Sequence, residues 1–566
     1  MFGGLGVTMV FMNDLSAMHP LTNLLLEKRG IIDSEEKLRF IAPDFERDGN
    51  DPFLILNMER AVDRILVAMQ KNEKMVIYGD YDCDGIPGSV ILHDLFKKIG
   101  YTNISNYIPH RHLEGYGLNK EAIVQFAKDG VALLITVDCG ITDVAEVELA
   151  NELGLDVIIT DHHLPQAVLP PAYAVLNSKQ EGDSYPDDML CGAGVAFKLS
   201  QAILLRGKFP HIPPGWEKWL LDMAGLSTIA DMVPLQKENR MLAYYGLKVL
   251  RKSPRPGLRA LLRESGTLQS ELTEEDVGFT IGPRINAASR MDVPLRAFEL
   301  LATSDELFAT ERAKFLGGLN DDRKSEVALM VKEAKRHLKD RVIREVIVIG
   351  NPNWRVGVVG IVANKIAEEY DRPTFVWGKE GTNDIKGSCR SDGRINLVDL
   401  MCAVPDGVFV DMGGHEFSGG FSVTQDNIHA LEDALVLAHA GLPKKEKPML
   451  SYAIDTTLTT ADVNEQTYRA LSLLAPFGVG NAKPHFLFKH VTVVRAEMFG
   501  KTKEHLKLTI TDDSCKEAQA IGFFMSPKTF PLADFSVGKK VDLVATLEKS
   551  FFRGRPELRL RIVDIH

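Results

Sequence analysis

Cysteine is scarce in this chain and tryptophan scarcer, six of the first and four of the second in 566 residues. The cysteines (Cys83, Cys139, Cys191, Cys389, Cys402 and Cys515) are scattered, with no Cys-x-x-Cys pair. That argues against a zinc ribbon and a disulfide scaffold, and it fits a reducing cytoplasm. No apolar run approaches the roughly 20 residues that a membrane helix needs, so no membrane partner is expected. The opening stretch MFGGLGVTMVFMNDLSAMHP lacks a basic segment and is interrupted by Asp14, so a signal peptide is not expected. Positive charge is not in excess: 66 basic against 77 acidic residues leave a net charge of −11. A nucleic-acid partner is therefore not announced by overall charge. It would need a local basic surface, or cations that offset the acids. Internal repeats and low-complexity tracts are also missing.

What is present is an ordinary globular composition, with 45% hydrophobic and 25% charged residues, long enough for three or four domains of ~100–200 residues. Three short apolar runs end in acidic or histidine residues: MVIYGDYD (75–82), ALLITVDCG (132–140) and DVIITDHH (156–163). Each is β-branched and apolar, as a strand buried on both faces should be. Between them lie the helical patterns NKEAIVQFAKDG (119–130) and DVAEVELANELG (143–154), both closing on glycine. Strand alternating with helix predicts a parallel α/β sheet.

Ligand sites in such sheets form beyond the carboxyl ends of the strands. The polar residues fall there: Asp80, Asp82 and Asp84 after one strand, Asp138 after the next, then Asp161, His162 and His163. A lone Asp-x-Asp is usually a turn or a helix cap, but three successive strand ends carrying such residues point to one shared site. Asp82 and Asp84 would face the same side of a continuing strand, and Gly85 permits a tight turn. Carboxylates with neutral imidazoles and no thiolates suit manganese or magnesium, with iron or zinc less suited. A carboxylate shared between two such ions would make a two-metal phosphoesterase centre. AGLSTIADMVPL (224–235) adds a fourth acid, Asp231, inside an apolar helical stretch. A buried carboxylate there needs a cation or a donor.

Downstream, residues 303–340 are charged and helix-periodic, which predicts a long connecting helix broken near Gly317-Gly318. VIREVIVIGN then reads as a strand and GVVGIVANKIAEEY (357–370) as a glycine-opened helix, a second α/β segment. AGLPKKEKPML (440–450) reads as a linker. The last ~110 residues alternate in hydrophobicity and predict a small β-barrel of the OB type. The expected division is 1–50 as an N-terminal extension, 51–265 as a parallel-sheet catalytic domain and 266–340 as a connecting helical segment. A second α/β, substrate-binding domain follows at 341–441, and a nucleic-acid-binding barrel at 450–566.

GDYDCDG, TVDCGI, TDHHLP and STIADMVPL together resemble the four motifs of the DHH phosphoesterase superfamily. GPRINAASRM (282–291), WRVGVVGIVANKIAEEYDRP (354–373), KGSCRS (386–391), GGHEFSGGF (413–421) and APFGVGNAKPHF (475–486) narrow the resemblance to its RecJ family of single-strand-specific 5′→3′ exonucleases. The resemblance runs from about residue 20 to the end. It implies that Asp82, Asp84, Asp138, His162 and Asp231 hold two divalent ions, usually manganese with magnesium possible, and that Asp138 bridges them. Asp80 and His163 are implied to touch an ion or to hold one of its ligands, and His163 to contact the scissile phosphate. By the family pattern, an ion-activated water attacks the phosphodiester.

Candidate phosphate ligands are Arg284, Asn286 and Arg290 in GPRINAASR, and Ser388 and Arg390 in GSCRS, since arginine forks match phosphate oxygens. His415 follows a glycine pair that belongs to the family's DHH-associated domain. GVVGIVANK offers free backbone N–H groups at a helix start. In the barrel, Lys501, Lys503, His505, Lys507, Lys549, Phe551, Phe552, Arg553 and Arg555 mix bases with aromatics, as single-strand binding by stacking requires. Phe552 and Arg553 sit where the family carries a similar loop. The resemblance further implies single-stranded DNA with a 5′ end as substrate, a narrow passage that excludes duplexes, a role in recombination and repair, a monomer, and a RecQ-type helicase and a single-strand-binding protein as partners. Tyr78 stands where several relatives have histidine; Pro87, Gly88, Ser289, Arg355 and Cys389 are further departures. None removes an expected ligand. The competing readings are a DHH phosphodiesterase of short oligonucleotides or cyclic dinucleotides, and a non-catalytic scaffold. The long helix and barrel argue against the first, the intact acids against the second.

Overall fold

A computed structural model describes residues 18–379, 385–446, 453–500, 503–525, 536–550 and 556–566. The chain forms two compact units, one of residues 51–231 with 246–449, the other of 1–50, 232–245 and 450–566.

The larger unit holds a five-stranded sheet of β1 (Lys74–Gly79), β2 (Ile104–Tyr107), β3 (Val131–Val137), β4 (Asp156–Thr160) and β5 (Ala174–Leu176), in the order β2-β1-β3-β4-β5. Every pairing is parallel. Helices Gly85–Ile99, Lys120–Lys128 and Val144–Glu152 supply the first crossovers. Residues 75–79, 133–137 and 157–160 are buried without a break, because helices cover both faces of a parallel sheet. The strand order reverses beside β1, so the carboxyl ends of β1 and β3 flank the position where an open α/β sheet leaves a crevice.

Beyond this sheet, helix Gly282–Met291 packs against the long helix Glu306–Lys339. The long helix is unbroken over 34 residues, about 51 Å at 1.5 Å per residue. The expected break at Gly317-Gly318 does not occur. A Cβ at Gly317 would come within 3.2 Å of Glu264 Cγ, so tertiary packing overrides the poor helix propensity of glycine. Asp305 caps the start by accepting from the N–H groups of Leu307 and Phe308. A second sheet follows: β6 (Ile347–Gly350), β7 (Thr374–Gly378), β8 (Ile385–Arg390), β9 (Asp411–His415) and β10 (Ser418–Val423), ordered β6-β7-β8-β10-β9. Only β6 and β7 run parallel; the other pairings are antiparallel.

The smaller unit is built on β11 (Ile454–Thr457), β12 (His485–Phe499), β13 (His505–Thr511), β14 (Glu517–Gly522), β15 (Lys540–Ser550) and β16 (Glu557–Ile565). Pairing of β12 with both β13 and β15 closes a five-stranded barrel, with β11 added at the side. Residues 18–50, expected as an extension, contribute to this unit's core. Leu21, Leu25 and Leu26 of helix Pro20–Lys28 pack with Phe486, Phe488 and Leu543 of the barrel. Buried Arg240 also belongs here: its guanidinium lies 3.6 Å from the Phe40 ring centroid and donates to the carbonyls of Phe40, Leu474 and Ala475. Among the described residues no helix is long and apolar enough to cross a membrane.

Candidate metal centre

β1 ends at Gly79, one residue before the first aspartate. Asp80, Asp82 and Asp84 therefore follow the strand, as expected, but Asp82 and Asp84 lie in a turn and not on a continuation of the strand that would face them to one side. Asp82 shapes that turn by accepting from Asp84 N at 2.8 Å and Gly85 N at 3.2 Å. The turn aims Asp84 at a different helix: its two oxygens accept from Gly192 N at 2.6 Å and Ala193 N at 2.8 Å, the free donors that start helix Gly192–Gly207. Only glycine fits at 192, because a Cβ there would sit 2.6 Å from Asp138 Cβ. Asp138, just beyond β3, has φ +63°, a left-handed backbone that turns its carboxylate back over the strand end.

The DHH segment divides its work. Asp161 is fully buried and accepts from His162 N at 2.7 Å, His163 N at 3.1 Å, His163 Nδ1 at 2.8 Å and Ile141 N at 3.0 Å. It positions both histidines. His162 Nε2 lies 3.2 Å from Asp138 Oδ1, and 3.7 Å from both Asp84 Oδ2 and Asp231 Oδ2. Asp231 is the C-cap of helix Leu221–Ala230, at the helix end and not within it as expected, and its side chain is only 26% exposed. Three groups of donor atoms come within 4.8 Å of one another: Asp80 with Asp82 and Asp138; Asp84 with His162 and Asp231; Asp138 with His162 and His163. Every sequence-predicted metal ligand falls in one of them. Asp138 and His162 each belong to two.

The electrostatics follow from burial and crowding. Burial, then the neighbouring Asp82, pushes the Asp84 carboxyl up to about 6. Burial, then Asp84 and Asp82, pushes Asp231 up to about 9. Asp138 and Asp80 are likewise driven well above the carboxylate range, first by burial and then by the acids around them. Burial, then His163, brings His162 down to about 3, so its imidazole is neutral and able to ligate. For His163 burial acts downward, but the hydrogen bond and charge of Asp161 outweigh it and raise the pKa. Burial acts upward on Asp161, and those same His163 contacts, with the Ile141 N–H, hold it below its ordinary value.

These donors fit hard divalent cations: carboxylate oxygens and a neutral imidazole, with no thiolate. Among the described residues buried Asp80 Oδ1 has no hydrogen-bond partner, and a cation would complete it. The nearby thiols Cys83, Cys139 and Cys191 are all pushed upward by burial and stay protonated.

The predicted phosphate ligands lie on the elements beyond the first sheet. Arg284, Asn286 and Arg290 project from helix Gly282–Met291. Arg284 donates to Thr280 O at 2.9 Å and Arg290 to Gly357 O at 3.2 Å. Ser388 and Arg390 sit on β8, and His415 is exposed at the end of β9. Phe552, Arg553, Phe551, Arg555 and Lys501 lie outside the described residues. Two residues near the metal donors escaped the sequence reading. Tyr116 donates to Asp138 O at 3.1 Å and lies 3.1 Å from His163 Nδ1. Lys179 Nζ donates to His162 O. Tyr116 sits in a loop whose only signal is its pair of flanking glycines, and Lys179 in an irregular stretch after β5. Tyr78 is fully buried, donates to Gly117 O at 2.9 Å and stacks on Tyr107, which anchors that same loop.

The chain matches the models of three families: the DHH family N-terminal domain over residues 74–226, the DHHA1 domain over 340–439 and the RecJ OB domain over 454–564. It is 36% identical over 548 residues to a protein of Bacillus subtilis named single-stranded-DNA-specific exonuclease RecJ, covering 96% of this chain and 68% of that one. A Haemophilus influenzae protein of the same name is 31% identical, with 96% of each chain covered. Among solved structures, RecJ of Thermus thermophilus in complex with Mn2+ aligns with a TM-score of 0.80 at 27% identity, over 99% of this chain and 77% of that one. With all three domains in order and similarity from end to end, the chain belongs to the RecJ family of the DHH phosphoesterases.

Proposed function

We propose that this protein is a metal-dependent exonuclease that degrades single-stranded DNA from its 5′ end to mononucleotides. The carrying observation is the convergence of Asp80, Asp82, Asp84, Asp138, His162 and Asp231 at one sheet edge, in a family whose members are named for this activity. Those six residues would hold two divalent ions, with Asp138 shared between them, a role its membership of two donor groups supports. The oxygen-rich donor set supports manganese as the working ion and magnesium as a substitute. Ions held by these residues would supply Lewis acidity to a water that attacks phosphorus and positive charge to the phosphate oxygens.

The chain's own residues prepare this chemistry. The N–H groups of Gly192 and Ala193 orient Asp84, and Asp161 fixes the ring of His163 through Nδ1. That leaves His163 Nε2 to donate to an oxygen of the scissile phosphate. Tyr116 limits the freedom of the same ring. Arg284, Arg290, Ser388, Arg390 and His415 would bind the strand, the β12–β16 barrel would guide single-stranded DNA toward the site, and the protein would act as a monomer in the cytoplasm. A helicase and a single-strand-binding protein would supply the strands.

The test is incubation of the full chain and Mn2+ with 5′-phosphorylated single-stranded DNA, a blunt duplex and a dinucleotide. Mononucleotides are expected from the first alone. Release from the dinucleotide alone, or from none, overturns the reading. Asp82→Ala is expected to abolish release while the thermal unfolding of the metal-free chain persists. A variant that digests DNA at the original rate removes Asp82 from the site.

A further inference from the structure

Four arginines gather around one of their number, Arg290, and two of them, Arg111 and Arg290, lie near the strand-end acids Asp80 and Asp82. Arg111 lies 4.7 Å from the Tyr81 ring centroid. Arg290 reaches across to Gly357 O, and Arg390 runs against Gly360, where a Cβ would be 3.2 Å from its Nη2. The fourth, Arg323, comes from the middle of the long helix. Arg290 stands among the other three, whose charge adds to burial in lowering its pKa to about 9. Among the described residues none of the four has an acidic oxygen within the 4.0 Å of an ion pair.

Arg323 is the unexplained member. A connecting helix needs no desolvated cation at its centre, and the other partly buried arginine of this helix, Arg312, has an acidic partner, Glu299 at 2.8 Å. Arg323 is desolvated without such a partner. Its Nη2 donates to Asn320 Oδ1 at 3.0 Å, and among the described residues its Nε has no partner. Asn320 is fully buried, and its Nδ2 is also without a partner. Two buried donors without a partner among the described residues, beside a guanidinium crowded by like charge, suit an oxyanion.

We propose that Arg323, oriented by Asn320, binds a phosphate group of the nucleic-acid strand together with Arg290, so that the long helix forms part of the substrate site. This rests on the proposed function and names a contact that the reading does not contain. The ligand chemistry follows from the inventory: guanidinium forks and an amide N–H offer only donors, and the complement is a doubly or singly charged phosphate with several acceptor oxygens.

The experiment measures equilibrium binding of fluorescent single-stranded DNA to the full chain carrying Asp82→Ala, in Mn2+, from 50 to 300 mM salt. In that background Arg323→Gln is expected to weaken binding on the order of tenfold and to flatten the log K against log salt slope by about 0.7, the signature of one lost single-strand phosphate contact. Lys324→Ala, an exposed neighbour paired with Asp321 at 3.3 Å, controls for general charge and should leave the slope unchanged. Arg323→Lys keeps the charge and should keep the slope, and thermal unfolding identifies any variant that fails to fold. Oligonucleotides with a 5′-phosphate and a 5′-hydroxyl separate the two sources. A defect confined to the first assigns Arg323 to a terminal monoester, and an equal defect in both assigns it to a backbone diester. An Arg323→Gln slope equal to the parent's in both arms overturns the proposal. Absence of DNA binding by the parent itself would instead overturn the proposed function.

Discussion

Asp231 should destabilise the protein that depends on it. Its carboxylate makes no hydrogen bond among the described residues, and the acids Asp84 and Asp82 act on it more strongly than the one nearby cation, Lys179. Burial and those acids lift its pKa to about 9, against ~3.9 in an unfolded chain. Between those values the folded state holds a proton that the unfolded state has released. Stability of the metal-free protein therefore falls as pH rises from about 4 to about 9. At pH 7 the displacement is roughly 3 pH units at ~1.36 kcal/mol each, a ceiling of about 4 kcal/mol. Asp231→Asn keeps the shape and removes this term. In EDTA at pH 7–8 the variant should melt above the wild type, by roughly 2–8 °C at the ~2 °C per kcal/mol of a large domain. Below pH 4.5 the advantage should vanish. Mn2+ should narrow the gap, because an ion at one hundred times its dissociation constant adds ~2.7 kcal/mol to the wild type, while the variant has lost a ligand. Differential scanning fluorimetry with and without Mn2+, at four pH values, reads all of this. A variant less stable than wild type in EDTA at pH 7–8, or stabilised equally by Mn2+, would refute the argument.

Two further substitutions probe the support of the site. Asp161→Asn should cost about 2–4 kcal/mol in urea unfolding with an unchanged m-value, since an amide cannot accept from all four N–H groups around Asp161. The depressed pKa of Asp161 gives its stabilisation the opposite pH sense to Asp231, present above pH ~4 and lost below it. Tyr78→Phe leaves the carbonyl of Gly117 without its donor. It should cost about 1–2 kcal/mol and speed proteolytic cleavage between residues 110 and 117.

The clustered acids and histidines of the sheet edge were legible because a parallel sheet puts every strand's carboxyl end on one edge, so three short motifs sufficed to place them together, while Asp231 joins them from the end of a helix. The alternation of Asp82 and Asp84 suggested a pleat, whereas Asp82 uses its own side chain to build a turn. Asp161 and His162 are adjacent in sequence yet do different things, one accepting four hydrogen bonds and the other offering Nε2, and only geometry separates them. Gly317-Gly318 misled because propensity is local and the pressure of Glu264 is not. The docking of Leu21, Leu25 and Leu26 into a barrel more than 400 residues away is invisible to any window of sequence. Arg323 was hidden among the many charges of a helix whose solvent face gives the same pattern.

The segregation of charge in the larger unit connects these observations. Among the described residues, Asp80, Asp82, Asp84, Asp138 and Asp231 have no lysine or arginine within ion-pair distance, and only histidines approach Asp84, Asp138 and Asp231 that closely. Arg111 and Arg290 stand near them, and Arg323 and Arg390 near Arg290, without pairing. Mixing the two sets would stabilise the empty protein, and it would also quench both sites, since a carboxylate held by a guanidinium is a poor metal ligand and the guanidinium a poor phosphate ligand. Each cluster instead stays at odds with itself, one short of cations and the other short of anions. A net charge of −11 carries no trace of this, because the property that matters is the distance between like charges and not their sum. Under the proposed function, metal ions and a phosphate backbone would relieve both clusters at once, and the cost to folding and the capacity for binding would reside in the same side chains.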